Sequence, residues 1–498
     1  MGKSTRHSAI LIGAYISTSL LNYAFGVGLS WFFSPDQFGV LGVAQSLLLL
    51  VALAVGSGFT WTAAQDIAAN GINENTRRRF RSAFITNATL GLILAIGVWY
   101  IFSAGWLPLG PAYKRVIPLV GLTTFLLAAR SVINGAARGL YRFTPVALNL
   151  VGEVAVKVAF GLALVAAGVG VEGVMFAFAL GAAASLIHSL WIVRSAKLWR
   201  GRGWFEPQTL INTAPLFIGM LGTALILNLD VLGLKLLSPV GKGDHLAGLY
   251  QAAIILARTP VFIAQALTLV LFSYAAGQRG VLQNSAQKIV SYSRSALKSW
   301  TRLLVPGALV LILAPQAALS LFFPEQYHEA RVSLQVASIG GLLLALSTLL
   351  IGVYQAEGKR RQPAIASGVA VIIQIITLIL LVPAIGTLGA AVSLLLAGAV
   401  SLAGLTPLFW PELMPRLKAK DAWQHLGQIN RNLLPLLTLS LLLILLPDGN
   451  RLMAGLKLSA AGLGYLLSLI FTQLRIASDS QASAYNLVSR FMQVLIGG

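Results

Sequence analysis

Apolar runs of about 20 residues recur along this chain from one end to the other, each long enough to cross a hydrocarbon layer of roughly 30 Å as a helix. No water-soluble core can use so many of them. Of 498 residues, 57% are hydrophobic and only 10% are charged, a balance outside the range of soluble domains. The runs lie near 10–32, 39–64, 83–104, 115–137, 145–168, 172–193, 213–237, 247–274, 301–322, 331–356, 363–383, 388–410, 433–447 and 451–473. They predict an all-α polytopic membrane protein of about 14 transmembrane helices. The first run, Ile10 to Phe32, is longer than a signal-peptide core and lacks a small-residue cleavage site, so it reads as a retained helix.

Orientation follows from the basic residues, which concentrate in short cytoplasmic loops. With the N-terminus inside, alternate loops on that side are basic: "NENTRRRFRS" (73–82), "RSAKLWRGRGW" (194–204), residues 277–300, "EGKRRQP" (357–363) and "MPRLKAKDAW" (414–423). Of the 36 Lys and Arg residues, this topology puts 26 inside, four in the membrane and six outside: Lys114, Arg115, Lys242, Arg331, Arg451 and Lys457. Both termini are therefore expected in the cytoplasm. The formal net charge of +21 is explained by inside loops facing anionic headgroups, and no basic stripe interleaved with aromatics calls for nucleic acid.

There is no cysteine, so disulfides, thiolate metal sites and cysteine nucleophiles are excluded. His7, His188, His245, His328 and His425 form no pair at metal-ligand spacing. No catalytic residue, metal or cofactor is expected. The tail "RIASDSQASAYNLVSRFMQVLIGG" is too polar to span, although Val488, Met492 and Leu495 share one face of a short interfacial helix.

An internal repeat is visible. "ARGLYRFTP" (137–145) through "GVGVEGVMFAFALGA" (168–182) is a basic turn, a helix opening near proline, a tight glycine turn and a second helix. "AEGKRRQP" (356–363) through "AIGTLGAAVSLLLAGA" (384–399) repeats that order. Pro363 follows Pro145 by 218 residues, Gly389 follows Gly173 by 216, and Gly248 in "AGLYQAA" follows Gly39 in "FGVLGVAQ" by 209. Six helices per half, an even number, make the repeats parallel about a pseudo-twofold axis along the membrane normal. The expected division is an N-lobe over 1–200, a C-lobe over 201–425, two extra helices within 426–474 and a cytoplasmic tail from 475 to 498.

Six charges lie well inside the runs: Arg130, Glu153, Lys157, Asp230, Lys235 and Arg258. Each costs at least ~2.5 kcal/mol in hydrocarbon, so each should face a cavity or a partner. Lys235 and Arg130 lie near span ends and can snorkel. Arg258, in "AGLYQAAIILARTPVFIAQAL" (247–267), cannot: eleven residues from the outer end of its helix, it lies about 16 Å deep. Pro260 removes a backbone donor beside it, which predicts a helix bend where the cation projects. Glu153 and Lys157, four apart, can neutralise each other; alternatively Glu153 exchanges a proton or cation while Lys157 contacts an anion. Asp230 can pair with Arg258 across the hairpin. The six sum to +2, which favours an anionic substrate, and an arginine fork suits phosphate.

At this point the sequence resembles the multidrug/oligosaccharidyl-lipid/polysaccharide (MOP) exporter superfamily, and within it the Wzx-like O-antigen flippases. The stretches that carry the resemblance are "SPDQFGVLGVAQSLLLLVALAVGSGF" (34–59), residues 137–181 and "LNLDVLGLKLLSPVGKGDHLAGLYQAAIILARTPVFIAQAL" (227–267). The resemblance implies two six-helix lobes in a V plus two C-terminal helices, working by alternating access. It implies transport of undecaprenyl-pyrophosphate-linked oligosaccharide across the bacterial inner membrane, with membrane lipids and polysaccharide polymerase or assembly proteins as partners. Arg258, with Lys157 and Arg130, would engage the substrate; Glu153 and Asp230 would couple to H+, Na+ or the membrane potential. The first helix holds no charge from Ala9 to Pro35, unlike the arginine-rich pattern associated with lipid II flippases, which makes that activity the alternative together with a MATE-like drug/cation antiporter. Short outer loops without paired carboxylates argue against a membrane enzyme.

Overall fold

A computed structural model describes residues 3–56, 58–201, 204, 221–265, 267–268, 300–356, 361–413, 434–447 and 449–478. The described residues are helical, with no strand among them. Among the described residues, eight helices are long and apolar enough to cross a membrane, or ten when two sharply bent pairs each count as one span. This is a multi-pass membrane protein. The proposed interfacial tail helix with Val488, Met492 and Leu495, and the basic stretches 277–299 and 414–423, lie outside the described residues.

The chain divides into two compact units, Met1–Gln251 with Val371–Ala390, and Ala252–Ala370 with Ala391–Gly498. In the first, α1 (Lys3–Ser30), α2 (Pro35–Gly56), α3 (Gly58–Asn70), α4 (Glu74–Ser103), α5 (Val116–Gly139), α6 (Phe143–Ala166) and α7 (Val171–Val193) precede a short α8 (Leu229–Leu237) and the start of α9 (Gly243–Ala257). α5 is the hub, packed on α2, α3, α4 and α7, while α6 lies between α1 and α7. Small residues permit this closeness, as between transmembrane helices generally: at Gly135 any Cβ would run into the backbone of Thr60. One end is closed by Phe59, Ile67, Phe80, Val132, Ile133, Ile192 and Leu198, with the Trp199 ring edge-on to Phe80 and Phe84 at 5.2 and 4.8 Å.

Several boundaries differ from the apolar runs, for physical reasons. α4 begins at Glu74, nine residues before its run, because Asn73 and Thr76 form a reciprocal capping box and arginines are good helix formers. The helix thus carries Arg77 to Arg79 and Arg81 beyond the apolar segment; Arg79 pairs with Asp66 at 2.8 Å and Arg81 donates to the Gly201 carbonyl at 2.9 Å. The 301–322 run is not one helix. Trp300–Leu313 and Pro315–Phe322 meet at 92°, because Pro315 has no N–H to continue the first and is pre-set to open the second.

In the second unit, α10 (Val305–Leu313) packs on α12 (Arg331–Ala356), and α11 (Pro315–Phe322) packs on α15 (Arg451–Ser478). The guanidinium of Arg451 donates to the Ser320 and Phe323 carbonyls at 2.9 and 3.3 Å, so the first residue of α15 caps the C-terminal end of α11. Leu439 and Leu443 of α14 (Leu434–Leu445) join Ala454, Ala461, Tyr465 and Leu469 of α15 over Ala314 and Ala317.

The repeat has a backbone signature. α13 (Arg361–Leu413) is interrupted at Ile385 and Gly386, and Gly386 has φ 55° and ψ −126°. Gly170, 216 residues earlier, opens α7 with φ 72° and ψ −148°. Only glycine reaches such angles without strain. The turn sets Gly389 against the backbone of Leu381 and Val382, just as Gly173 lies against Leu164 and Val169.

Candidate functional site

Polar side chains inside the first unit fall at four-residue intervals on three facing helices: Arg130, Asn134 and Arg138 on α5, Asn149, Glu153 and Lys157 on α6, Ser185 and Ser189 on α7. Such spacing keeps each set on one helix face. Arg130 and Glu153 form an ion pair between α5 and α6, and Arg130 also donates to the Ser185 hydroxyl at 3.0 Å. Asn149 donates to Asn134 and Ser189 at 3.2 and 2.8 Å and meets the His188 ring nitrogen at 3.0 Å. Arg138 reaches the Tyr15 hydroxyl at 3.2 Å. Sequence reasoning missed the asparagines and serines; their recurrence at four-residue steps within apolar helices was the available signal.

Glu153 therefore meets Arg130 on the next helix, and the pairing with Lys157 considered from spacing alone is not the one the structure shows. Lys157 turns the other way. Its ammonium donates to the Asn22 side chain of α1 and stands over the Phe178 and Phe25 rings at 4.5 and 5.6 Å from their centroids. Among the described residues no carboxylate lies within ion-pair distance of it. The arrangement is a cation held by an amide and two π faces, with no carboxylate set against it among the described residues.

Asp230 is fully buried in the first turn of α8. Its carboxylate accepts from the Tyr250 hydroxyl and the Val231 N–H, both at 2.9 Å. Arg258 in the second unit is 9% exposed and stands at the break between α9 and Thr259–Gln265, which are bent by 45°. The N–H groups of Val261 and Phe262 both turn to the Arg258 carbonyl, at 3.0 and 3.2 Å. The bend expected from Pro260 is present, and the cation sits at its apex. Gly341 of α12 supports it, being pressed on the Ala257 carbonyl where no Cβ fits.

Lys235 does not simply snorkel. Its ammonium lies 2.7 Å from Asp244 and 5.3 Å from the Tyr113 ring centroid, and the Tyr113 hydroxyl donates to the other Asp244 oxygen at 2.7 Å. Burial, and after it the Asp244 charge, push the Tyr113 phenol well above its ordinary value, so it remains a donor. Beside this cluster α2 and α9 touch backbone to backbone. A Cβ at Gly39 would strike the Asp244 carbonyl and the Gly248 amide; one at Gly248 would strike the Pro35 carbonyl and the Gly39 amide. Asp244 follows Pro35 by 209 residues, the offset that also relates Gly248 to Gly39, so the crossing is isologous. Asp36 and His245, again 209 apart, face each other at 3.3 Å.

Among the described residues no group of three His, Asp or Glu side chains could hold a metal ion. A family model described as polysaccharide biosynthesis protein matches residues 4–276, more than half of the 498. The chain belongs to this family. Its fold is that of MOP superfamily transporters. The lipid II flippase MurJ, in an inward closed conformation, is similar over 96% of this chain and 100% of its own, with 14% identity and a TM-score of 0.73. An outward-facing multidrug resistance MATE family transporter matches 81% of this chain and 93% of its own at 15% identity and a TM-score of 0.57. A MOP superfamily transporter from Pyrococcus furiosus, noted for the reverse polarity of its binding pocket, matches 83% and 95% at 15% identity and a TM-score of 0.58. No curated protein matches the chain in sequence.

Proposed function

We propose that this chain is a flippase that carries undecaprenyl-pyrophosphate-linked oligosaccharide, an O-antigen or other surface-polysaccharide repeat unit, across the bacterial cytoplasmic membrane by alternating access. Membership in the polysaccharide biosynthesis family is the observation that carries this reading. The interior cation at Lys157, uncompensated among the described residues, and the midspan Arg258 support an anionic rather than a cationic cargo. In this scheme the lobes are 1–200 and 201–425, the extra helices lie within 426–474, and both termini are cytoplasmic.

Basic inner loops draw the pyrophosphate headgroup to the cavity while the polyprenyl tail stays in lipid. Arg258 and Lys157 compensate the phosphate charge. Arg130 joins them only when Glu153 releases it, so protonation of Glu153 would expose a cation and bind the anion in one step. Asp230 is the second candidate for coupling to H+, Na+ or the membrane potential. The chain acts as a transporter, not an enzyme, and its partners are membrane lipids and the polymerase and assembly proteins that consume the exported unit.

The likeness to MurJ over its whole length favours one second reading, transport of lipid II. Native mass spectrometry of the full chain, wild type and Arg258→Ala, offered undecaprenyl-pyrophosphate-linked oligosaccharide, lipid II and a cationic dye in competition, separates the readings. Preferential retention of the oligosaccharide lipid, lost in Arg258→Ala, is expected. Preference for lipid II moves the assignment to the second reading, and binding of the dye alone, indifferent to Arg258, overturns both.

A further inference from the structure

The transport scheme makes no use of the cation at the start of the broken span Trp300–Leu313. Arg302 lies in a π-helical turn, Trp300–Leu304, of a kind that concentrates at functional sites. Four residues on, Pro306 has no N–H to offer the Arg302 carbonyl, so an α-helix cannot satisfy it. Tyr465 of α15 does so, its hydroxyl donating to that carbonyl at 2.8 Å. The Trp300 indole N–H donates to the Leu342 carbonyl of α12 at 3.1 Å. The turn is thus tied on two sides, and Tyr465 is itself buried.

The guanidinium is left differently. Its Nε and Nη1 atoms are buried, and among the described residues neither has a hydrogen-bond partner. These atoms carry three of the five N–H donors of a group that stays protonated at any cellular pH. Native structures rarely leave such donors unfilled without a ligand to fill them. The preceding inner segment, 277–300, offers no acid: it contains Arg279, Lys288, Arg294 and Lys298 and neither Asp nor Glu. Arg302 is the second residue of the apolar run 301–322 and follows the basic, polar stretch "SYSRSALKSW", which puts it at the depth of lipid headgroups rather than of acyl chains.

We propose that Arg302, held in the π turn between α12 and α15, binds the phosphate of an anionic lipid headgroup. The planar fork accepts two phosphate oxygens side by side, which a lysine ammonium does not. A membrane phospholipid and a polyprenyl pyrophosphate present the same chemistry here, and the site does not depend on which cargo the chain moves.

The test uses the full-length protein in detergent, with phosphatidylglycerol and undecaprenyl pyrophosphate titrated separately and detected by native mass spectrometry. Arg302→Gln should weaken retention of at least one of them by about tenfold, and Arg302→Lys should restore it only in part. Loss of phosphatidylglycerol alone identifies a structural lipid; loss of undecaprenyl pyrophosphate alone identifies a headgroup station for the cargo. A folded Arg302→Gln that holds both lipids as wild type does overturns the proposal. Should that variant fail to fold, wild-type protein is labelled with phosphatidylglycerol or undecaprenyl pyrophosphate bearing a diazirine at the headgroup. Cross-links to residues 300–306 or 461–469 that excess unlabelled lipid removes are expected from at least one probe, and cross-links confined to other segments from both overturn the site. The phosphatidylglycerol arm does not depend on the flippase reading, which Arg258→Ala tests separately.

Discussion

Arg130 and Glu153 hold one another in a place where either charge alone would be costly. Both side chains are less than one fifth exposed, so removing one partner leaves a desolvated charge, a loss of about 3 kcal/mol or more, whereas replacing both with apolar residues is close to neutral. Glu153→Gln should therefore lower the unfolding temperature in detergent clearly, while Arg130→Met combined with Glu153→Leu should recover it. Transport by the double variant then separates two roles: retained export makes the pair structural, and a folded but inactive protein makes the pair part of the transport machinery. Lys157 has the opposite character, since its partners are an amide and two rings. Lys157→Met keeps the apolar stem and should leave the unfolding temperature nearly unchanged while weakening retention of the pyrophosphate-linked ligand roughly tenfold; equal retention would remove Lys157 from the site. The charged residues were legible from the chain because each interrupts an apolar run. Their partners were not, because the choice between Arg130 and Lys157 for Glu153 depends on how α5 and α6 face each other, which four-residue spacing within a single helix does not encode.

At the level of elements, the breaks in the helices were easier to foresee than their ends. Proline fixes the bends at Arg258 and at Ala314–Pro315, whereas α4 extends past its apolar run because capping and helix propensity, not hydropathy, decide where it starts. The α2–α9 crossing adds something that a repeat in sequence only hinted at: equivalent glycines pack on each other's backbones. A side chain at either position must push the helices apart. Because the chain has no native cysteine, the effect can be read by labelling. Val43, one turn beyond Gly39 and fully buried, should resist a maleimide as Val43→Cys in an otherwise wild-type chain and react once Gly248→Val is added. Continued protection in the double variant would mean that the crossing tolerates a Cβ and does not hold α2 and α9 together.

For the molecule as a whole, the decisive regularity is that the two halves repeat in the same sense. The matching turns at Gly170 and Gly386 and the shared 209-residue offset at the α2–α9 crossing come from different parts of each half, which chance likeness between helical hairpins does not explain. Parallel repeats require an even number of crossings per half, and that fixes which loops share a side. In the proposed topology the loop with Trp106 and the one with Val240 face the same compartment, opposite to the basic sequence 277–300, and the charge bias predicts that compartment to be the outside. Trp106 and Val240 are 75% and 104% exposed, so cysteines placed there report cleanly. In intact cells, Trp106→Cys and Val240→Cys should both react with an impermeant maleimide, while Ser293→Cys should react only after permeabilisation. Labelling of Trp106 and Val240 from opposite sides would make the number of crossings between them odd. The parallel arrangement, and with it the placing of both lobes' basic loops against the inner leaflet where an anionic headgroup is gathered, would then fail together.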